Sequence, residues 1–193
     1  MNNNKKNGLD IAYAIVDGMR IIAICCFIVL LVISLLTRRC VVEGQSMYPT
    51  IQHNQQAFIN VANAWMNDIE RFDIVVVREE HEDELWVKRV IGLPNETIAY
   101  QNGKLYIDGK LVEETFLNQK YVESELKRLH VNYFTEDYPS YTLADDEYFL
   151  VGDNRFNSLD SRYASVGAFK RKQIVANGIL VYYPFKDFRY ISK

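Results

Sequence analysis

The sixteen residues Ile21–Leu36 (IIAICCFIVLLVISLL) carry no charge and no continuous polar face. A helix of this kind has no stripe to turn toward water, so it belongs either deep in a core or in lipid. Lys5 and Lys6 ahead of it and its place near the N-terminus favour lipid. Sixteen helical residues span about 24 Å, short of a hydrocarbon core of about 30 Å. Gly18 and Met19 extend the run, and Arg20 can snorkel toward headgroups. The segment that follows, Thr37-Arg38-Arg39-Cys40-Val41-Val42-Glu43, holds no small-residue cut site of the A-x-A type. We therefore read residues 21–37 as an uncleaved transmembrane helix in the lipid bilayer, after a segment 1–20 and before a folded domain 38–193. Basic residues flank both ends of the span, so the charge pattern leaves its orientation open.

Ser46 lies nine positions after Thr37, in the turn-prone run Gly44-Gln45-Ser46-Met47-Tyr48-Pro49-Thr50. Nine residues reach at most about 30 Å when extended. Unless the chain doubles back, Ser46 works close to the membrane surface, on something that is also there.

The rest of the 193-residue chain is long enough for one domain with a core of its own. Its net charge of −3 gives no reason to expect nucleic acid as a partner. Three cysteines do not make a disulfide scaffold. Cys25 and Cys26 are adjacent within the apolar run and cannot bridge without strain, which leaves Cys40 unpaired.

After Thr50 the pattern is that of short antiparallel strands. Strands are expected at 71–77, 85–91, 97–100, 104–107, 110–112 and 147–151, with a charged hairpin loop at Arg78–Glu84. Asn102-Gly103 and Asp108-Gly109 are strong signals for type I′ turns. From 113 to 146 the alternation is lost, which reads as a small inserted subdomain with a helical turn or two in Tyr121–Tyr133. Residues 173–183 read as a long strand, with Asn177-Gly178 as a bulge in preference to a hairpin. The fold class is thus mainly β: an antiparallel domain behind one N-terminal transmembrane helix.

Several chemistries are excluded. The chain has no glycine-rich phosphate loop, no H-E-x-x-H and no C-x-x-C. His53, His81 and His130 are scattered through polar stretches and read as surface residues, so neither a metal site nor a Ser-His-Asp triad is indicated. A serine nucleophile without histidine needs another base, and a neutral lysine is the physical option. Lys88 stands out, because alternation sets Trp86, Lys88 and Val90 on one face of a strand and Val87, Arg89 and Ile91 on the other. If the Lys88 face is buried, desolvation lowers its pKa; if the other is, Arg89 is the functional cation. Periodicity does not choose between them. A third element, Gly152–Arg162, packs two acids, two arginines and two serines into one loop able to brace a site.

Taken together, Gly44–Thr50, Arg71–Val77, Val87–Pro94 and Gly152–Arg162 resemble, in order, the four sequence boxes of type I signal peptidases of the Gram-positive branch. The resemblance implies a membrane-bound endopeptidase with a Ser/Lys dyad and no cofactor. In it Ser46 is the nucleophile and Lys88 the general base. Ser158 orients the lysine, Asp153, Asp160 and Arg162 form the bracing network, and Gly44, Met47 and Pro49 shape the loop or the substrate site. It also implies an extracytoplasmic catalytic domain, a cytoplasmic segment 1–20, and substrates that are exported precursors with signal peptides cut after small residues. The alternative is a dedicated processing or assembly factor for pilin-like surface-fibre subunits on the same scaffold. Two departures stand out: Phe72 occupies a position where many relatives have glycine, and Ser165 replaces a glycine after Arg162. Both bear on local backbone shape. Gly44 also stands where some relatives place an oxyanion-binding serine, which leaves that task to backbone N–H groups.

Overall fold

A computed structural model describes residues 3–79 and 84–193, and for 3–12 and Leu35 the backbone alone. His81 and most of the charged loop expected at Arg78–Glu84 lie outside the described residues, as do the side chains of Lys5 and Lys6.

The chain divides into two compact units, Met1–Thr37 and Arg38–Lys193. The first is one helix, α1 (Asn3–Leu36). Within it Tyr13–Ser34 has a mean hydropathy of 2.5 over 22 residues, long and apolar enough to cross a membrane. At 1.5 Å per residue this stretch measures about 33 Å, so the helix continues N-terminally past the apolar run and removes the expected shortfall in length.

The second unit is built from three antiparallel sheets. Its strands are β1 (Thr37–Val41), β2 (Gln56–Asn60), β3 (Ile74–Arg78), β4 (Leu85–Gly92), β5 (Thr97–Gln101), β6 (Lys104–Ile107) and β7 (Lys110–Val112). They continue with β8 (Tyr138–Thr142), β9 (Glu147–Val151), β10 (Phe169–Lys170), β11 (Ile174–Asn177), β12 (Ile179–Tyr183) and β13 (Arg189–Ile191). Two short helices interrupt them, α2 (Val61–Met66) and α3 (Gln119–Leu129). The sheet orders are β1-β2-β12-β13, β10-β9-β4-β3-β11 and β7-β6-β5-β8.

The β-branched run Ile74–Val77 is buried on both faces, which makes β3 a central strand between β4 and β11. Its even-numbered side chains, Ile74 and Val76, pack with Met47, Ile51 and Ile59, while Val75 and Val77 join Leu150 and Phe169 on the other side. A third apolar cluster around Ile98, Tyr100 and Phe149 holds the β5–β8 sheet. The hairpins at Asn102-Gly103 and Asp108-Gly109 have positive φ at both central residues, the geometry of type I′ turns.

Two segments differ from the expectation. Residues 173–183 are not one bulged strand. β11 belongs to the five-stranded sheet and β12 to the β1-containing sheet, and the chain changes sheet at Gly178. Gly178 has φ +87°, and a Cβ there would meet the Tyr190 hydroxyl at 2.3 Å, so only glycine makes the corner. The stretch 113–146 supplies β8, an integral strand of the β5 sheet, as well as α3. α3 is capped by the Asn118 side chain at its start and by His130 in the left-handed region at its end.

Candidate active site

The loop Gly44–Thr50 is held by the core beneath it and by the Gly152–Arg162 loop beside it. Met47 is buried among Ile51, Ile59 and Val76 and so pins the loop from below. From the side, the Asn154 N–H donates to the Ser46 carbonyl at 2.9 Å and the Asn154 amide to the Gln45 carbonyl at 3.1 Å. Gly152 makes this approach possible: a Cβ there would lie 2.4 Å from the Ser46 carbonyl oxygen and 2.2 Å from Ser158 Oγ. Gly44 has φ +84° and donates its N–H to His53 Nδ1 at 3.1 Å. The Tyr48–Pro49 peptide bond is cis. Among the described residues the Ser46 N–H and hydroxyl have no hydrogen-bond partner.

β4 carries the two cations that alternation left undecided, and both are buried. Lys88 is 3% exposed and Arg89 1%. Lys88 Nζ donates to Ser158 Oγ at 3.3 Å and stands 5.4 Å from the centre of the Trp86 ring. Among the described residues no carboxylate forms an ion pair with it. Burial lowers its pKa to about 8; Asp160 acts against that shift, and Arg162 adds to it.

Arg89 is saturated instead. Its Nε and Nη2 each donate to Asp153 at 2.7 Å, and its Nη1 donates to the Phe72 carbonyl at 2.8 Å. Thr50 Oγ1 adds a 2.5 Å hydrogen bond to Asp153, so this pair also ties down the far end of the Ser46 loop. Phe72 has φ +71°, which explains why glycine suits this position. Its ring packs on Phe116, which also lies 4.1 Å beneath the Arg89 guanidinium.

Asp160 holds the other side. Burial alone would raise its pKa, but the Arg162 guanidinium, the Gly152 N–H and the Ser158 hydroxyl together bring it below the ordinary value. Arg162 donates from Nε at 2.8 Å and Nη2 at 2.9 Å to Asp160, and from Nη2 to the Arg155 carbonyl at 3.0 Å. Ser158 Oγ meets Lys88 as a hydrogen-bond acceptor.

Ser46, Lys88, Gly44 and Met47 line one cleft of about 850 Å³, whose other walls include Cys40–Val42, Leu85–Val87 and Leu159. Asp153, Asp160 and Arg162 brace it from behind, and Pro49 is placed in the loop turn outside its lining. β4 pairs with β3 from Leu85 to Arg89 but with β9 only from Arg89 to Gly92. The edge Leu85–Lys88 is therefore open beside the cleft. Among the described residues no cluster of His, Cys, Asp or Glu could hold a metal ion. No sequence signal marks Glu114, which pairs with buried Arg155 at 2.7 Å and accepts the Tyr100 hydroxyl at 3.0 Å. These partners lie far apart in the chain, so no local motif could have joined them.

The family model described as signal peptidase, peptidase S26, matches residues 15–183. Signal peptidase I S of Bacillus subtilis (strain 168) is 36% identical over 176 residues, covering 91% of this chain and 93% of that protein. A signal peptidase I of Bacillus amyloliquefaciens is 37% identical over 178 residues, 91% of this chain and 92% of that one. A crystal structure of a signal peptidase I from Enterococcus faecalis V583 is 30% identical, covers 57% of this chain and 97% of its own, and has a TM-score of 0.48.

Proposed function

The chain belongs to the peptidase S26 family of type I signal peptidases, and we propose that it removes signal peptides from exported precursors with Ser46 as nucleophile and Lys88 as general base. The observation that carries this reading is Lys88 itself. It is a buried amine with no paired carboxylate among the described residues, in the same cleft as the Ser46 hydroxyl. A pKa lowered to about 8 leaves a usable fraction of neutral amine near neutral pH.

Neutral Lys88 takes the Ser46 proton as Oγ attacks the scissile carbonyl, and the unpartnered Ser46 N–H is positioned to stabilise the oxyanion. Lys88 then returns that proton to the leaving amine. It next deprotonates the water that attacks the acyl-enzyme, and gives the proton back to Ser46 as the acid product leaves. Ser158 accepts one amine N–H of Lys88, which orients the base in this reading. The apolar cleft walls and the open β4 edge suit an extended segment with small side chains, whose backbone extends the sheet. In this reading α1 anchors the enzyme in the bilayer, the domain 38–193 is extracytoplasmic, and the substrate is delivered along the same membrane.

Full-length protein in detergent, given a precursor with an Ala-x-Ala site, tests the assignment. The wild type is expected to cut there, with a rate that rises as pH increases through about 8. Ser46→Ala and Lys88→Ala are each expected to lose the activity. Cleavage by Ser46→Ala at the wild-type rate would overturn the dyad. A folded wild type that binds precursor without cutting it would favour the assembly-factor alternative.

A further inference from the structure

On the other side of the Ser46 loop lies a second groove, of about 760 Å³, that the proposed chemistry does not use. It meets the catalytic cleft at Gln45 and Asn157, which line both. Its outer wall is one face of α3. Tyr121, Glu125, Arg128 and Leu129 are spaced as neighbours on a helix and all line it. A chain of aromatic contacts fixes that wall to the active-site loops. Tyr48 meets Tyr121 at 5.0 Å, Tyr121 meets Phe134 at 5.9 Å, and Phe134 meets Phe156 at 5.3 Å.

The lining contrasts with that of the catalytic cleft. The cleft is walled mostly by apolar residues, with Glu43 and Glu84 also in its lining, and its apolar part fits the small side chains before a cut site. The second groove sets aromatic rings beside an Arg128–Glu125 pair, so it offers both signs of charge and selects neither. A peptide laid across Ser46 with its apolar half in the cleft has its continuation at the Gln45 and Asn157 border.

We propose that this groove binds the part of the precursor just after the scissile bond, which makes α3 a positioning element for the start of the mature protein. The inference rests on the peptidase reading above. The occupant is an extended polypeptide of varied sequence, held by its backbone and by ring contacts. Such contacts strengthen positioning of the leaving group without dictating its sequence.

Two peptides sharing one Ala-x-Ala half decide it, one continuing eight residues past the cut and the other ending in an amide after one residue. The wild type is expected to prefer the long peptide, and Tyr121→Ala to reduce the ratio of the two kcat/KM values about tenfold. A ratio unchanged in Tyr121→Ala would overturn the proposal. In parallel, Ser46→Ala is loaded with the long peptide carrying a photo-crosslinking phenylalanine analogue at the second position after the cut. Adducts are expected within 121–129, and adducts confined to the apolar cleft would overturn the proposal. If the wild type cut neither peptide, the peptidase reading would fall, while the crosslink would still locate the bound segment.

Discussion

Lys88 and Arg89 are neighbours on one strand, equally buried and equally cationic by type, and their surroundings are opposite. Arg89 meets a carboxylate through two hydrogen bonds and a carbonyl through a third. Lys88 meets a hydroxyl and an aromatic ring. A buried guanidinium in a bidentate pair stays charged and joins the elements it touches. A buried ammonium without a paired carboxylate is forced toward its neutral form. The pleat sorts the two: one face of β4 holds a paired guanidinium, and the other an amine held toward its neutral form.

The largest expected effect tests whether Lys88 acts by losing its proton. Lys88→Arg keeps the charge but cannot deprotonate, so cleavage should fall by 10³-fold or more, roughly the loss seen when a base is removed from a serine-protease site. Steady-state rates on an Ala-x-Ala precursor check this, and substantial activity in the arginine variant would break the contrast between the two faces. On the Arg89 face the expected loss is stability. Asp153→Ala strands a buried guanidinium, and urea unfolding should show a drop of about 3–5 kcal/mol.

A third expectation concerns the sign of the Lys88 effect on folding. Its pKa falls from 10.5 when unfolded to about 8 when folded, so the unfolded state binds more protons between those values. Stability tied to this group should therefore rise with pH from about 8 to 10.5 and be at its lowest below 8. Lys88→Met removes that penalty and should be more stable at pH 7 by about 1–3 kcal/mol while inactive. A Lys88→Met melting temperature below that of the wild type at pH 7 would count against the cost of burying this amine. Ser158→Ala is expected to act more mildly. Losing the acceptor for the ammonium moves the midpoint of the pH–rate profile below that of the wild type and lowers the plateau about tenfold. The smallest effect is expected at Phe72→Gly. Relief of the left-handed backbone offsets the lost packing on Phe116, and denaturation midpoints should move by less than about 1 kcal/mol.

Much of this was legible in the sequence where the signal is local. The Asn102-Gly103 and Asp108-Gly109 turns, the β-branched run of β3 and the apolar helix each depend on residues next to one another. So does the crowding of charge in 152–162, where Asp160 and Arg162 pair two residues apart. What could not be read is what tertiary contact decides. Alternation offered Lys88 or Arg89 as the buried cation, because a strand covered on both faces hides both. The sheet change at Gly178 looks like a bulge in sequence, since it is decided by the distant partners β3, which takes β11, and β2, which takes β12. The strand β8 was missed because Tyr138–Thr142 is mostly exposed and lacks the apolar alternation of a core strand.

Gly152 shows how such a site is kept in register. The Ser46 carbonyl and the Ser158 hydroxyl, which answer to the two members of the proposed dyad, rest against the same missing side chain. The spacing between the proposed attacker and base is thus gauged by an absence one methyl wide. A methyl group at this point would wedge the two loops apart and shift Ser46 relative to Lys88 without touching either side chain.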